Sequence, residues 1–328
     1  CYVSTSGTDL NNNCTQSGSP CSTVGQAVSQ ARAGDKVYVA PGTYNEPALP
    51  INLNAQIEIR GQGAIPANVI IRGGGTTPLF NVAAGLTAQP VFQNLTLENG
   101  SGANGGAVLV GAGAHIKFNA VNFNGNTATN GGAVYAQNNA VLTFEGCSFT
   151  NNESDGTGSS AGGGAIYLTG STIYMKNSRF ETNTAVSSHG GAIYANGSAI
   201  NGTNNLFANN SATGNGGGIY ASNGSLALQF ATITQNSGAI GGGIYANSTT
   251  IDIEDTAIVS NTATTNSSIR AGSTPLNFSY NAIWPTSSAD FTPDGTNPTL
   301  SSNPVFDGVD YKVLAGNELV DADTRSST

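Results

Sequence analysis

A chain of 328 residues with net charge −9 and only ten Lys plus Arg has no basic surface with which to neutralise phosphates, which excludes nucleic acid as a partner. Its 44 glycines and 9% charged residues would suit low-complexity disorder, but 38% hydrophobic residues at regular positions argue for a packed chain. No apolar run approaches the ~18 residues a spanning helix needs, so no transmembrane segment is expected.

From the N-terminus, the chain starts at Cys1 rather than Met and so reads as processed or trimmed. Cys14 and Cys21 bracket a Gln-Ser-Gly-Ser-Pro loop that a local disulfide would restrain. Cys147 lies two residues before Phe149 on one strand face and reads as a small buried apolar side chain. Cys1 is left over, open to lipid attachment, an intersubunit bond or a free thiol. Thr23-Val-Gly-Gln26 reads as a capping box, with Val24, Ala27, Val28 and Ala31 on one face and Gly34 as the stop, which predicts a short amphipathic helix over residues 23–33. Strand Lys36 to Ala40 then enters the first coil. Less regular strands follow at Ile57–Ile59, Val69–Ile71, Leu79–Val82 and Val91–Leu97.

Two motifs then recur in register. The first is Gly-Gly-(Ala/Gly)-(Val/Ile)-Tyr, ending at Tyr135, Tyr167, Tyr194, Tyr220 and Tyr245, with Gly105 to Leu109 as a variant copy. The second is Phe-x-x-Asn or Ile-x-x-Asn, ending at Asn126, Asn152, Asn183, Asn210, Asn236 and Asn261, in steps of 26, 31, 27, 26 and 25 residues. A fixed period in this range is the mark of a repeat array. Within one repeat, Leu226, Leu228 and Phe230 alternate as a strand and Ser222-Asn223-Gly224 reads as a turn; nothing reads as helix.

Two or three short strands cannot bury their own apolar face, so each repeat has to stack on the next as a coil of a parallel β-helix. That register predicts an inward column of Ile116, Leu142, Ile173, Ile200, Leu226 and Ile251, and beside it Phe118, Phe144, Met175, Gly202, Leu228 and Ile253. The Asn residues are expected to form a structural ladder of amide hydrogen bonds from coil to coil. The expected organisation is one all-β domain of roughly ten coils over residues 1–328. It has an N-terminal cap over 1–45, coils over 46–284 with strict repeats over 105–261, and an irregular C-terminal cap over 285–328 punctuated by Pro293, Pro298 and Pro304.

The Gly-Gly-Ala-Ile and Phe-x-x-Asn repeats resemble those of chlamydial polymorphic outer-membrane proteins and related bacterial surface proteins with right-handed, pectate-lyase-like β-helices. Tyr2 to Gly7 with Ala33 to Tyr44 is similar to the opening of many secreted members of that superfamily, and Asn303-Pro-Val-Phe306 with Asp310-Tyr-Lys-Val and Asp321-Ala-Asp323 resembles their ending. The resemblance implies a right-handed coil and an extracellular or cell-surface location. The chlamydial translocating barrel has no counterpart here.

The same superfamily includes polysaccharide lyases and hydrolases, so the outward columns matter. One runs Lys117, Thr143, Tyr174, Asn201, Ala227, Asp252 and the next Asn119, Glu145, Lys176, Thr203, Gln229, Glu254. Glu145 beside Lys176, with Arg179 and Glu181 along the same coil, is the one mixed-charge cluster, and Asp252, Glu254 and Asp255 form an acidic spot. Such surface pairs are common, and no catalytic residue is assigned. His115 and His189 lack the partners of a zinc site, and Gly61-Gln-Gly63 and Gly111-Ala-Gly113 lack the context of a dinucleotide site, so no metal and no cofactor is expected. If Val134, Ile166, Ile193, Ile219 and Ile244 point inward, Tyr135, Tyr167, Tyr194, Tyr220 and Tyr245 form an exposed ladder suited to sugars or to another protein; alternatively the tyrosines point into the core or stack for strand stability.

The leading expectation is a non-catalytic extracellular structural or adhesive β-helix, self-assembling through its end strands into a surface filament, with glycans or a host or neighbouring cell surface as partners. Two alternatives stand beside it: a polysaccharide lyase or glycoside hydrolase sensitive to Lys176→Ala or Arg179→Ala, and a carbohydrate-binding module using the tyrosine ladder.

Overall fold

In a computed structural model that describes residues 1–74, 76–272 and 276–284, the turns decide where each strand ends. Strand Val141–Glu145 stops at Gly146, whose φ of +61° swings the chain into strand Ser148–Thr150. Asn151, at φ +55°, then turns it into Glu153–Gly162, and Gly163, at φ +67°, leads to Ile166–Thr169. Left-handed φ is accessible to glycine at no steric cost and to Asn at little, which is why these residue types punctuate the repeat.

Each strand pairs in parallel with its equivalent one coil later, as in Leu142 opposite Ile173 and Ile173 opposite Ile200. The coils build a 19-stranded, a 9-stranded and a 7-stranded sheet, so the nine strands of the second sheet count nine turns among the described residues. All are all-β apart from one short helix and one turn of 3-10 helix.

Both predicted inward columns are inward. Ile116, Leu142, Ile173, Ile200, Leu226 and Ile251 are each at most 1% exposed, and one continuous apolar core runs from Val3 to Ile283. Phe123, Phe149, Phe180 and Phe207 stack face to face along it at 4.4 to 4.8 Å between centroids. Each buried aliphatic or aromatic side chain contributes roughly 1.5–3 kcal/mol, which stabilises a chain with few ion pairs.

The Asn residues form a continuous buried ladder. Asn152 Nδ2 donates to Asn183 Oδ1 at 2.9 Å, Asn183 to Asn210 at 2.9 Å, and Asn210 to Asn236 at 2.9 Å; Asn126 and Asn261 extend it at the two ends. The same oxygens also accept the backbone N–H of the preceding coil, as Asn183 Oδ1 does from Asn152 N at 3.1 Å. The second amide hydrogen goes to the carbonyl of the Phe one coil back, Asn183 Nδ2 to Phe149 O at 2.9 Å. Both halves of the amide are therefore used, and only Asn carries two N–H donors and an acceptor on so short a stem.

A second polar column is present that the sequence reading missed. Cys147 N donates to Ser178 Oγ, Ser178 N to Asn205 Oδ1, Ala231 N to Thr256 Oγ1 and Thr256 N to Asn281 Oδ1. Its members change type from coil to coil, so no motif marks it. Cys147 belongs to this column rather than being merely apolar: its Sγ donates to Phe118 O at 3.4 Å. Burial pushes the thiol pKa up to about 12, so it is unreactive at neutral pH.

The N-terminal cap departs from expectation in detail. The helix spans Val24–Gln30, not 23–33, because Ala31 is already extended and its N–H closes the last turn onto Ala27 O and Val28 O. Thr23 Oγ1 accepts from Gln26 N at 3.1 Å, but the reciprocal half of the capping box is missing: Gln26 Nε2 donates to Asn12 O and Thr23 N donates to Asp9 Oδ1. Two acids do the work instead. Glu46, 7% exposed, accepts from Val24 N and Gly25 N at 2.8 and 3.0 Å, and Asp9 accepts from Ser22 N, Thr23 N and Thr23 Oγ1. A disulfide joins Cys14 and Cys21, with 5.1 Å between Cα atoms, and holds their loop against strand Tyr2–Val3. That loop uses up the outer edge of the strand: Tyr2 N donates to Cys14 O, Cys21 N to Tyr2 O and Ser4 N to Cys21 O. The predicted C-terminal cap over 285–328 lies outside the described residues.

The acidic cap makes the N-terminal end pH-sensitive. Burial alone would raise the Asp9 pKa, but the hydrogen bonds from Thr23 and Ser22 outweigh it and hold the carboxyl below its ordinary value. A group lowered by folding stabilises the native state above its unfolded pKa and loses that contribution as pH falls through the folded pKa. Between about pH 5 and pH 2, the wild-type Tm is therefore expected to fall further than that of Asp9→Asn; parallel curves in a thermal melt series would show that Asp9 contributes nothing.

Candidate functional site

The outer face of the long sheet carries a line of polar side chains dictated by strand register. Tyr38, Arg60, Gln93, Asn119, Glu145 and Lys176 are successive partners, and the column continues through Thr203, Gln229 and Glu254. A parallel column beside it includes Glu58, Lys117, Tyr174, Asn201 and Asp252. The period-two alternation of a strand puts both columns outside because their neighbours line the core.

Charges pair locally on this face. Lys36 meets Glu58 at 2.9 Å, Lys117 meets Glu145 at 3.3 Å and Arg179 meets Glu181 at 2.8 Å. Glu145 and Lys176 are register partners, as expected, but the Glu145 carboxylate turns the other way, to Lys117 on the preceding coil. These pairs are solvent-accessible and contribute about 0–1 kcal/mol each. In the acidic spot, Asp252 accepts from Asn277 Nδ2 at 2.8 Å and Glu254 from Ser279 Oγ at 3.4 Å. Among the described residues no group of His, Cys, Asp and Glu could hold a metal ion.

Two open troughs interrupt the face. One, of about 550 Å³, is bordered by Tyr38, Arg60, Gln62, Gln93 and Asn94, and the other, of about 260 Å³, by Asn201, Thr203, Gln229, Asp252 and Glu254. Asn94 shapes the first by donating to the carbonyls of Gly61 and Gly63, and Tyr38 stacks on Tyr2 at 5.5 Å. Amides, a guanidinium, hydroxyls and carboxylates at the edge of shallow troughs can hydrogen-bond a hydroxyl-rich chain without enclosing it.

The tyrosine ladder lies on the nine-stranded sheet, and of the readings given for it the stacked one describes the rings. Tyr135, Tyr167, Tyr194, Tyr220 and Tyr245 stack in parallel at 4.6 to 5.2 Å between centroids. Ring faces are therefore spent on one another, and the guanidinium of Arg270 lies 5.5 Å over Tyr245. Tyr167 and Tyr194 are only 8% and 3% exposed, because the excursion at Glu153–Gly162 runs across them: Tyr167 Oη donates to Ser160 O at 2.9 Å and Tyr194 Oη to Ser159 O at 3.2 Å. Burial raises the phenol pKa of both. The five residues extra to this coil, which make the 31-residue step between Asn152 and Asn183, supply that cover. His189 stacks on Tyr220 at 4.9 Å, its Nδ1 accepts from Asn215 N at 2.8 Å, and burial lowers its pKa. His115 opens strand His115–Asn124, away from this ladder.

Over residues 55–237 the sequence matches the family described as the right handed beta helix region. The chain belongs to that family. Its parallel solenoid is accordingly a right-handed β-helix. Among solved structures, this β-helix is similar to a rhamnogalacturonan lyase, with 14% identity, TM-score 0.44 and coverage of 92% of this chain and 86% of that one. It is also similar to ORF18 of Geobacillus virus E2, with 15% identity, TM-score 0.32 and coverage of 84% and 56%. A third, a PL6-family alginate lyase, gives 14% identity, TM-score 0.28 and coverage of 83% and 49%. At these identities the likeness concerns the fold, and it does not reach the chlamydial proteins. It does correct one expectation: with two polysaccharide lyases among the similar structures, the β-helix gives no ground for reading the chain as a non-enzyme. No curated protein matches the sequence.

Proposed function

We propose that this protein is an extracellular β-helix that binds a linear polysaccharide along the outer face of its long sheet. The observation that carries the reading is that both troughs border the same outward column, the first through Tyr38, Arg60 and Gln93 and the second through Thr203, Gln229 and Glu254, in line along the solenoid axis. From Arg60 to Thr203 there are five coil steps, about 24 Å at ~4.8 Å per step. A polymer of repeating hydroxyl-bearing units matches a face whose donors and acceptors repeat at a fixed interval. No helix of the described residues is long and apolar enough to cross a membrane, which is compatible with secretion. Self-assembly through end strands is not part of this reading, since the loop of Cys14 and Cys21 already occupies the edge of Tyr2–Val3.

Affinity electrophoresis against uronate-containing and neutral polysaccharides tests it. Arg60→Ala is expected to weaken binding of a polyuronate about tenfold, as loss of a charged hydrogen bond of roughly 1.5 kcal/mol requires, while Tyr245→Ala, on another sheet, leaves binding unchanged. Absence of binding to every polymer in the panel would sink the proposal. The same incubations, assayed for unsaturated product and new reducing ends, report whether bound chains are cleaved.

A further inference from the structure

We infer that Phe230 is an aromatic platform for uncharged sugar units on the rim of the trough formed by Asn201, Thr203, Gln229, Asp252 and Glu254. The inference rests on the polysaccharide reading above and assigns to one end of that face its own ligand chemistry.

The backbone singles out Phe230. It stands at the bend that follows strand Ser225–Gln229 and has φ +55°. The same bend is held by Gly146, Asn177, Asn204 and Asp255 in other coils, with φ from +49° to +61°. Gly, Asn and Asp enter the left-handed region readily, whereas a bulky aromatic there is a strained outlier. Burial does not compensate: the ring is 52% exposed, in a molecule whose other Phe side chains described here are nearly all buried. A large apolar side chain placed at a strained bend and left in solvent contributes nothing to this fold, and such outliers gather where a ligand is met.

Its neighbours name the ligand. Gln229, the preceding residue, borders the trough, and Phe230 N donates to Glu254 O, the backbone of a second bordering residue, at 3.3 Å. Tyr280, two coils further on and about 10 Å along the axis, occupies the equivalent bend at φ +55° and is 56% exposed. Two accessible aromatic rings beside a row of amides, hydroxyls and carboxylates suit a pyranose, which has one apolar C–H face and an equator of hydroxyls. Asp252 and Glu254 disfavour a uronate at this end by like-charge repulsion, while Arg60 marks the other trough as the one suited to anionic units.

The test uses the full chain, a soluble neutral β-glucan and polygalacturonate as probes, and the variants Phe230→Asn and Phe230→Tyr. Asn is what Asn204 supplies one coil earlier, so Phe230→Asn is expected to melt at or above the wild-type temperature. The same variant is expected to bind the β-glucan at least tenfold more weakly, with polygalacturonate binding unchanged and Phe230→Tyr close to wild type. Wild-type β-glucan affinity in Phe230→Asn would overturn the inference, and so would a lowered Tm, which would make the ring structural. Should Gln229→Ala lose the β-glucan while Phe230→Asn keeps it, the face binds glycan and only the platform fails. Should neither polymer bind the wild type, both readings fail together.

Discussion

Replacing Asn183 by Ala is expected to destabilise the protein by about 4 kcal/mol and to lower its Tm by many degrees. Asn183 sits in the middle of the buried ladder and is 0% exposed. Its loss leaves two buried groups without partners, the backbone N–H of Asn152 and one Nδ2 hydrogen of Asn152, and takes a hydrogen bond from the carbonyl of Phe149. An orphaned buried polar group costs about 1–3 kcal/mol, and no solvent reaches this column to replace the bonds. Asn183→Asp should be at least as damaging, because the carboxylate keeps the acceptors, loses both donors and carries a buried charge. In a solenoid each coil touches mainly its neighbours, so a break here also divides the array into two stacks. Calorimetry or circular-dichroism melts decide the matter; a loss below about 1 kcal/mol would show that the ladder decorates the turn rather than holding it.

Gly191→Ala should be a severely damaging methyl addition. A Cβ there would lie 2.1 Å from the carbonyl oxygen of Gly217 in the next coil and 2.6 Å from Ser211 N. Both obstacles are backbone, so neither can rotate away, and relief requires the coils to part. Overpacking of a well-packed interior costs about 1–3 kcal/mol and more where backbone must move, so little folded protein is expected at 37 °C. Gly125→Ala is the control: a Cβ at Gly125 meets nothing within 4 Å, although its φ of +60° still costs the variant about 1 kcal/mol. Equal soluble yields and melting curves for Gly191→Ala and wild type would refute the close-approach account of the second repeat glycine.

Much of the fold was legible from two motifs. The period located the coils, the glycine and Asn positions located the bends, and alternation between them sorted Ile116, Leu142 and Ile173 inward and Lys117, Thr143 and Tyr174 outward, as the register bears out. The cap was less legible. Thr23 was recognisable as an N-cap, but Asp9 and Glu46, which complete it, lie 14 and 22 residues from the groups they accept from, and no local pattern announces such distant partners. The serine, threonine and asparagine column through Ser178 and Thr256 escaped notice because side chains of different length do the same job from coil to coil.

The candidate site divides along the same line. Sequence by itself determined which residues share a column, because a strand has a side-chain period of two and a parallel coil repeats in register. Tertiary structure alone decided what those columns offer. It turned Glu145 to Lys117 rather than Lys176, opened troughs beside Arg60 and Gln229, closed the tyrosine faces on one another and laid the Glu153–Gly162 excursion over two of them. Register is a one-dimensional property that spacing encodes, whereas accessibility depends on rotamers and on segments distant in sequence, which pass over a column without leaving any mark in it.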